Sequence, residues 1–208
     1  MPFELNLEEG KFLIKLARNS VKHYLETRKT ISPPKSTPKK LWEHCGVFVT
    51  LSIMEEGQKQ LRGCIGYPYP TSPLVEAVID SAINAATQDP RFHPLSLKEL
   101  GKIVFEVSVL TPPELIEVKK PEEYPTKIKV GADGLIVEKG YFKGLLLPQV
   151  PVEWDWNGEE FLCQCCGKAG LPFDSWLTKG VKIYKFQAII FEEETPEGNI
   201  KSVLLESK

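Results

Sequence analysis

Apolar residues first recur at helical spacing between positions 7 and 27, where Leu13, Leu16, Ala17, Val21, Tyr24 and Leu25 mark one face. Asn6 and Glu9 stand three apart just ahead of that stripe as a capping-box pair, so a long amphipathic helix is expected there. Ser32 to Lys40 carries Pro33, Pro34 and Pro38; proline lacks the backbone donor and restricts its predecessor, which predicts a loop with solvated lysines. The pattern then becomes strand-like. Val47 to Ile53 is rich in β-branched residues, Glu55-Glu56-Gly57 reads as a turn, and Gln60 to Tyr67 completes a hairpin. Ser72 as N-cap with Pro73 at the first helical position opens a second helix to about Gln88, with Leu74, Val75, Val78, Ile79, Ala82 and Ala86 as its buried stripe. A second capping box, Ser96 with Glu99, starts a short helix, and Ile103 to Leu110 alternates as a strand.

Further along, the pattern predicts a meander of Lys127 to Val130, Leu135 to Glu138 and Gly144 to Leu147, with turns at Asp133-Gly134 and at Gly140. Asn157 with Glu160 caps another helix that Gly170 and Pro172 should end. Val181 to Phe191 reads as a closing strand, and Ile200 to Leu205 as its partner after a Pro196 to Asn199 turn. Hairpin-joined strands with helices between some of them predict an α+β fold with a largely antiparallel sheet flanked by helices.

Composition narrows the function classes. A net charge of −2 gives no general attraction to nucleic acid or anionic lipid. No apolar run approaches the roughly 20 residues of a spanning helix, and Met1 to Gly10 is acidic where a signal peptide would be basic, so a cytoplasmic protein with neither nucleic acid nor membrane as partner is expected. Five cysteines, three of them crowded at Cys163, Cys165 and Cys166, are unlike a paired disulfide framework and point to reduced thiols. A structural zinc needs four ligands, and only three stand together here, so core packing is expected of the cluster and no metal site is assigned. The four tryptophans are likewise expected to pack.

One segment invites chemistry: Leu61-Arg62-Gly63-Cys64-Ile65-Gly66-Tyr67-Pro68. A strict period of two puts Arg62, Cys64 and Gly66 on one face and Leu61, Gly63, Ile65 and Tyr67 on the core side. Arg62 would then favour the Cys64 thiolate. Glycines flanking the cysteine weaken a strand, a cost accepted where a ligand or another backbone comes close, or at a bulge.

That segment, followed by a helix and then Asp89-Pro90-Arg91-Phe92, resembles the AMMECR family, named for the Alport syndrome, mental retardation, midface hypoplasia and elliptocytosis chromosomal region. The likeness continues through Pro94-Leu95, Glu99-Leu100, Val107 to Leu110, Gly131 to Gly134, Leu147 to Val150 and Lys168-Ala169-Gly170. The resemblance implies one domain in two lobes, about 1–115 with 180–208 and about 116–179, with the signature near a cleft between them. It brings no assigned reaction and no cofactor. Relatives are often encoded near, or fused to, Memo-like and radical-SAM-like proteins, which implies those as partners.

Two readings of different class follow. In the first, a small-ligand- or partner-binding module uses Arg62, Gly63, Cys64, Gly66, Arg91 and Glu106 to recognise an anionic small molecule. In the second, a thiol-dependent enzyme uses Cys64 as nucleophile, Arg62 to lower its pKa and His93 as base. His93 lies in the proline-flanked loop with Asp89 and Arg91, where functional residues concentrate. The chain holds no G-x-x-x-x-G-K-[ST], G-x-S-x-G or H-E-x-x-H pattern to add a third.

Overall fold

The computed structural model describes residues 3–55 and 57–203. They divide into two compact units: residues 3–110 with Ile189–Val203, and Thr111–Ala188. The strand pairings of Gly46–Glu55 with Gln58–Tyr67 and Ile103–Leu110, of Asp133–Lys139 with Phe142–Leu146, and of Lys182–Glu193 with Glu114–Leu115, Asp133–Lys139 and Ile200–Val203 are all antiparallel, and helices accompany each unit, so the fold is α+β.

In unit 1, helix α1 (Leu7–Thr27) opens with the Asn6/Glu9 capping box and buries Leu13, Ile14, Leu16, Ala17 and Val21. Strands β1 (Gly46–Glu55) and β2 (Gln58–Tyr67) form the expected hairpin, and β3 (Ile103–Leu110) pairs with the other edge of β1. Helix α2 (Leu74–Thr87) and the single-turn α3 (Leu97–Leu100) lie between them in sequence. α1 and α2 pack on each other and on Val47, Val49, Leu51, Phe105, Val107 and Val109 in one apolar core. Truncating a fully buried leucine of this core, such as Leu13 or Leu74, costs about 2–5 kcal/mol. α2 starts one residue later than the sequence suggests. Pro73 is its N-cap, and Ser72 makes no cap because the Leu74 N–H is already donated to the Glu43 carbonyl.

Unit 2 contains β4 (Glu114–Leu115), β5 (Asp133–Lys139), β6 (Phe142–Leu146), α4 (Gln149–Glu153) and α5 (Gly158–Lys168). β7 (Lys182–Glu193) pairs with β4 and β5 in this unit, while its last residues belong to unit 1 beside β3 and β8 (Ile200–Val203). The rest of the predicted last strand, Leu204 and Leu205, lies outside the described residues.

Two sequence expectations fail here. Lys127 to Val130 is no strand: a 3-10 turn runs through Lys127, and the Asp133 carboxylate accepts the Lys129 N–H. Asp133-Gly134 is not a hairpin turn but the start of β5, with the Phe186 ring seated where a Gly134 side chain would be. The turn before β5 falls at Gly131-Ala132, and the expected turn at Gly140 joins β5 to β6, with a φ of 59° that suits glycine.

Cys165 and Cys166 are fully buried among Leu135, Val137, Phe161 and Ile183, and Cys163 accepts the Trp176 indole N–H at 3.4 Å. Of the tryptophans, Trp176 is packed, but Trp154 and Trp42 are exposed; Trp154 stacks on Trp156 at 6.2 Å. Among the described residues no helix is long and apolar enough to cross a membrane.

Candidate functional site

The site is shaped by an irregularity in the β1–β2 ladder. Thr50 opposes Cys64 and Leu51 opposes Gly63, but Ser52 opposes Leu61, so Arg62 is an extra residue with no partner on β1. Such a bulge breaks the strict alternation of faces. Gly63, opposite the buried Leu51, faces the helices, and Leu61 is turned out to solvent rather than into the core. Arg62 leaves Cys64 and turns toward α3. There its Nε and Nη2 donate to Glu99 Oε1 at 3.3 and 3.2 Å, and its guanidinium stands 5.8 Å from the Phe92 ring centroid.

Cys64 lies in a row across three strands, beside Thr50 on β1 and, beyond it, Glu106 on β3. The Thr50 hydroxyl donates to Cys64 Sγ at 3.2 Å, and the Ser108 hydroxyl donates to Glu106 at 3.1 Å. Burial pushes the Cys64 thiol up; the Thr50 hydrogen bond and Arg91 oppose this, while Glu106 and Asp89 add to it. Burial also raises the Glu106 carboxyl, against the Ser108 bond. A half-buried thiol in one row with a half-buried acid is poorly disposed to ionise.

The signature strand is held from its other side by Asp89, in the loop after α2. This carboxylate, 4% exposed, accepts the Cys64 N–H at 2.8 Å, the Arg91 N–H at 3.1 Å, and the Arg91 Nε and Nη2 at 3.0 and 2.7 Å. The Arg91 guanidinium holds it well below the usual carboxylate range, and the two backbone N–H groups act in the same direction. Asp89 in turn raises Arg91. Glu99 is likewise lowered, first by the Ser96 N–H and then by the Ser96 hydroxyl and Arg62.

These anchors leave a hollow of about 350 Å³ lined by Arg62, Pro90, Arg91, Phe92 and His93. The Arg91 guanidinium is 5.5 Å from the centroid of the same Phe92 ring, so two cations stand by one aromatic ring. Arg62 and His93 thus share the hollow with Arg91, whereas the Cys64 and Glu106 side chains are not part of its lining. Gly63 and Gly66 are accounted for by the fold. A side chain on Gly63 would meet the Ala85 carbonyl oxygen at 2.1 Å, and one on Gly66 the Val47 carbonyl oxygen at 2.2 Å. Among the described residues, no three His, Cys, Asp or Glu side chains converge as a metal site.

Sequence reasoning singled out Arg62, Arg91 and His93, with Asp89 in the same loop, but gave no role to Glu99, Phe92 or Thr50. Asp89 had a local signal, since an aspartate two residues before an arginine in a Pro-containing loop can close an Asx-type turn. Thr50 had none, because its meeting with Cys64 depends on strand register.

The family model that matches this chain is AMMECR1, over residues 14–191. Protein PH0010 of Pyrococcus horikoshii is 60% identical, over 97% of this chain and 98% of that protein. Protein MJ0810 of Methanocaldococcus jannaschii is 54% identical, over 94% and 96%. The crystal structure of the uncharacterized protein PH0010 superposes with a TM-score of 0.83 at 59% identity, over 97% of this chain and 99% of that one.

Proposed function

The chain belongs to the AMMECR1 family, and from that premise we propose that it is a small-ligand-binding module whose Arg62/Arg91/His93 hollow receives an anionic group. One observation carries this. Two guanidiniums converge on a single hollow across Phe92, each aligned by its own carboxylate, and among the described residues neither Nη1 group is engaged. Charge-assisted hydrogen bonds from those free donors suit a carboxylate or phosphate, and the Phe92 ring offers an apolar surface for the body of the ligand.

A thiol enzyme built on Cys64 has less in its favour. Burial raises its thiol, and the Arg62 charge expected beside it is engaged by Glu99 instead. The binding reading takes the protein to be cytoplasmic, and a Memo-like or radical-SAM-like partner rests on the family resemblance alone.

Thermal melts of wild type and Arg62→Ala with added phosphate, sulfate or citrate, against chloride at equal ionic strength, test the reading. Wild type should show an anion-dependent rise that the variant lacks. Without additive the variant should lose only about 1 kcal/mol, because Glu99 is one-third exposed and keeps its Ser96 partners. No rise in wild type, or an equal rise in the variant, sinks it.

A further inference from the structure

The strand order ends on β2 in unit 1 and on β6 in unit 2, and the two edges are finished differently. An open edge offers unpaired N–H and C=O groups to any extended chain, so proteins blunt it with charge, bulges or cover. β2 has all three. The Arg62 bulge interrupts it, Lys59 and Arg62 charge it, and the loop after α2 covers it, with Asp89 accepting the Cys64 N–H at 2.8 Å and Arg91 Nη2 donating to the Cys64 carbonyl at 3.4 Å. β6 is left nearly bare. Its register against β5 runs unbroken from Phe142 to Leu146, it holds no proline, and Lys143, paired with Glu138, is its one charged residue. From the α5 side Cys165 Sγ reaches the Gly144 carbonyl at 3.7 Å and the Leu146 N–H. Among the described residues, no other hydrogen bond outside the β5 ladder reaches the backbone of Phe142, Gly144, Leu145 or Leu146.

Aromatic side chains crowd the same edge. Tyr141 is fully exposed, and Phe142 and Phe173 are more than half exposed. Phe142 lies against Gly170 and Phe173 against Gly167, so both rings stand at the C-terminal end of α5. Around them, residues 138–143 and 167–182 hold five lysines against two acids, a net charge of +3. Lys168, Lys179 and Lys182 have no ion pair among the described residues. Lys168 has a bland explanation, since a cation is favoured in the last turn of any helix. That explanation does not extend to Tyr141 and Phe142, whose rings the fold leaves in water beside an open edge.

We propose that β6 is a docking edge for an extended acidic segment of a partner protein, which joins the sheet as a further strand. Its main chain would pair with the outward N–H and C=O groups of β6, its apolar side chains would meet Phe142 and Phe173, and its carboxylates the surrounding lysines. A second copy of this chain fits less well. A Cβ on Gly144 would lie 2.5 Å from the Ala169 nitrogen and 2.7 Å from the Cys165 oxygen, so α5 stands directly on the strand. Two copies joined through the middle of β6 would set two such helices about 5 Å apart, inside the about 8–10 Å of packed helices. A lone strand meets no such obstacle. No residue is shared with the Arg62/Arg91 hollow, so this inference stands apart from the anion-binding reading.

Selection of random dodecapeptides displayed on phage against the full chain tests it, followed by fluorescence anisotropy of the best binder as a synthetic, dye-labelled peptide. Enriched peptides should be acidic with apolar residues at alternate positions, and binding should weaken by roughly tenfold or more in Tyr141→Ser/Lys168→Ser. Both side chains are exposed, and the Tyr141→Ser single variant serves if the double variant unfolds. Methylating the peptide amides at one alternate set of positions should abolish binding, and at the other set should leave it, because an added strand turns only every second N–H toward the edge. Amide hydrogen exchange of β6 should slow in the complex. No acidic enrichment, undiminished binding by the variant, equal tolerance of both methylated sets, or dimerisation of the chain alone with protection of the same β6 amides would overturn the proposal.

Discussion

Arg18 and Arg91 both lie against a buried carboxylate, yet they differ in what is left over. Arg18 on α1 donates from Nε and Nη2 to Glu193, from Nη1 to the Leu100 carbonyl at 3.2 Å and from Nη2 to the Ile103 carbonyl, with its guanidinium over the Phe105 ring at 4.6 Å. Glu193 accepts the Phe105 N–H as well. Every nitrogen of Arg18 is engaged, and the pair ties α1, β3 and β7 together. Arg91 spends Nε and Nη2 on Asp89 but is 54% exposed, with Nη1 turned to no partner among the described residues. A buried carboxylate beneath an arginine is thus no mark of a functional site. Unspent donors beside a hollow are the better guide.

The largest effect should come from the saturated pair. Glu193→Ala leaves the buried Arg18 with only the exposed Glu197 carboxylate, 3.7 Å from its Nη1, as counter-charge and should lower stability by about 3 kcal/mol in urea unfolding. A loss under about 1 kcal/mol would put Arg18 in the same class as Arg91 and erase the distinction.

Asp89→Asn should cost about 2 kcal/mol, because Arg91 can turn to solvent while the Cys64 N–H must make do with a weaker acceptor. The loss should depend on pH. Arg91 holds the folded Asp89 below its unfolded value of about 4, so its stabilisation is fully present above that pH and fades as the pH falls toward the folded value. Unfolding at pH 7 and pH 3 should show the gap between wild type and variant narrowing in acid. A gap of constant size would mean that the carboxylate charge contributes little.

The smallest effect concerns Cys64. Site-resolved iodoacetamide labelling at pH 8 should modify it more slowly than a free cysteine, because burial raises its thiol, and Glu106→Gln should speed rather than slow the reaction. Labelling faster than a free cysteine would revive the thiol enzyme.

The sequence was legible where structure is decided within a few residues. The capping boxes of Asn6, Ser96 and Asn157 all form, because each needs only a side chain and a backbone three positions apart. The α+β class was likewise readable from hairpin-joined strands. What failed depended on partners distant in sequence. Arg62 could not be assigned to its true face, since its bulge exists only in the register against Ser52 and Leu51. Asp133-Gly134 has every local mark of a turn and is overruled by Gln187, whose side chain binds Asp133, and by the Phe186 ring. Ser72 lost its role as a cap to the carbonyl of Glu43.

β7 belongs to both units, and this bears on the order in which the protein can be made. Arg18 and Glu193 are 175 residues apart, so at 5–20 residues per second the arginine leaves the ribosome roughly 10–35 s before its carboxylate. Until then the N-terminal half-sheet lacks both its β7 neighbour and the counter-charge for a side chain it is about to enclose. The described part of unit 2 is complete in sequence by Ala188 and can condense first, although its synthesis begins later. During vectorial synthesis, the first part translated is the last that can close.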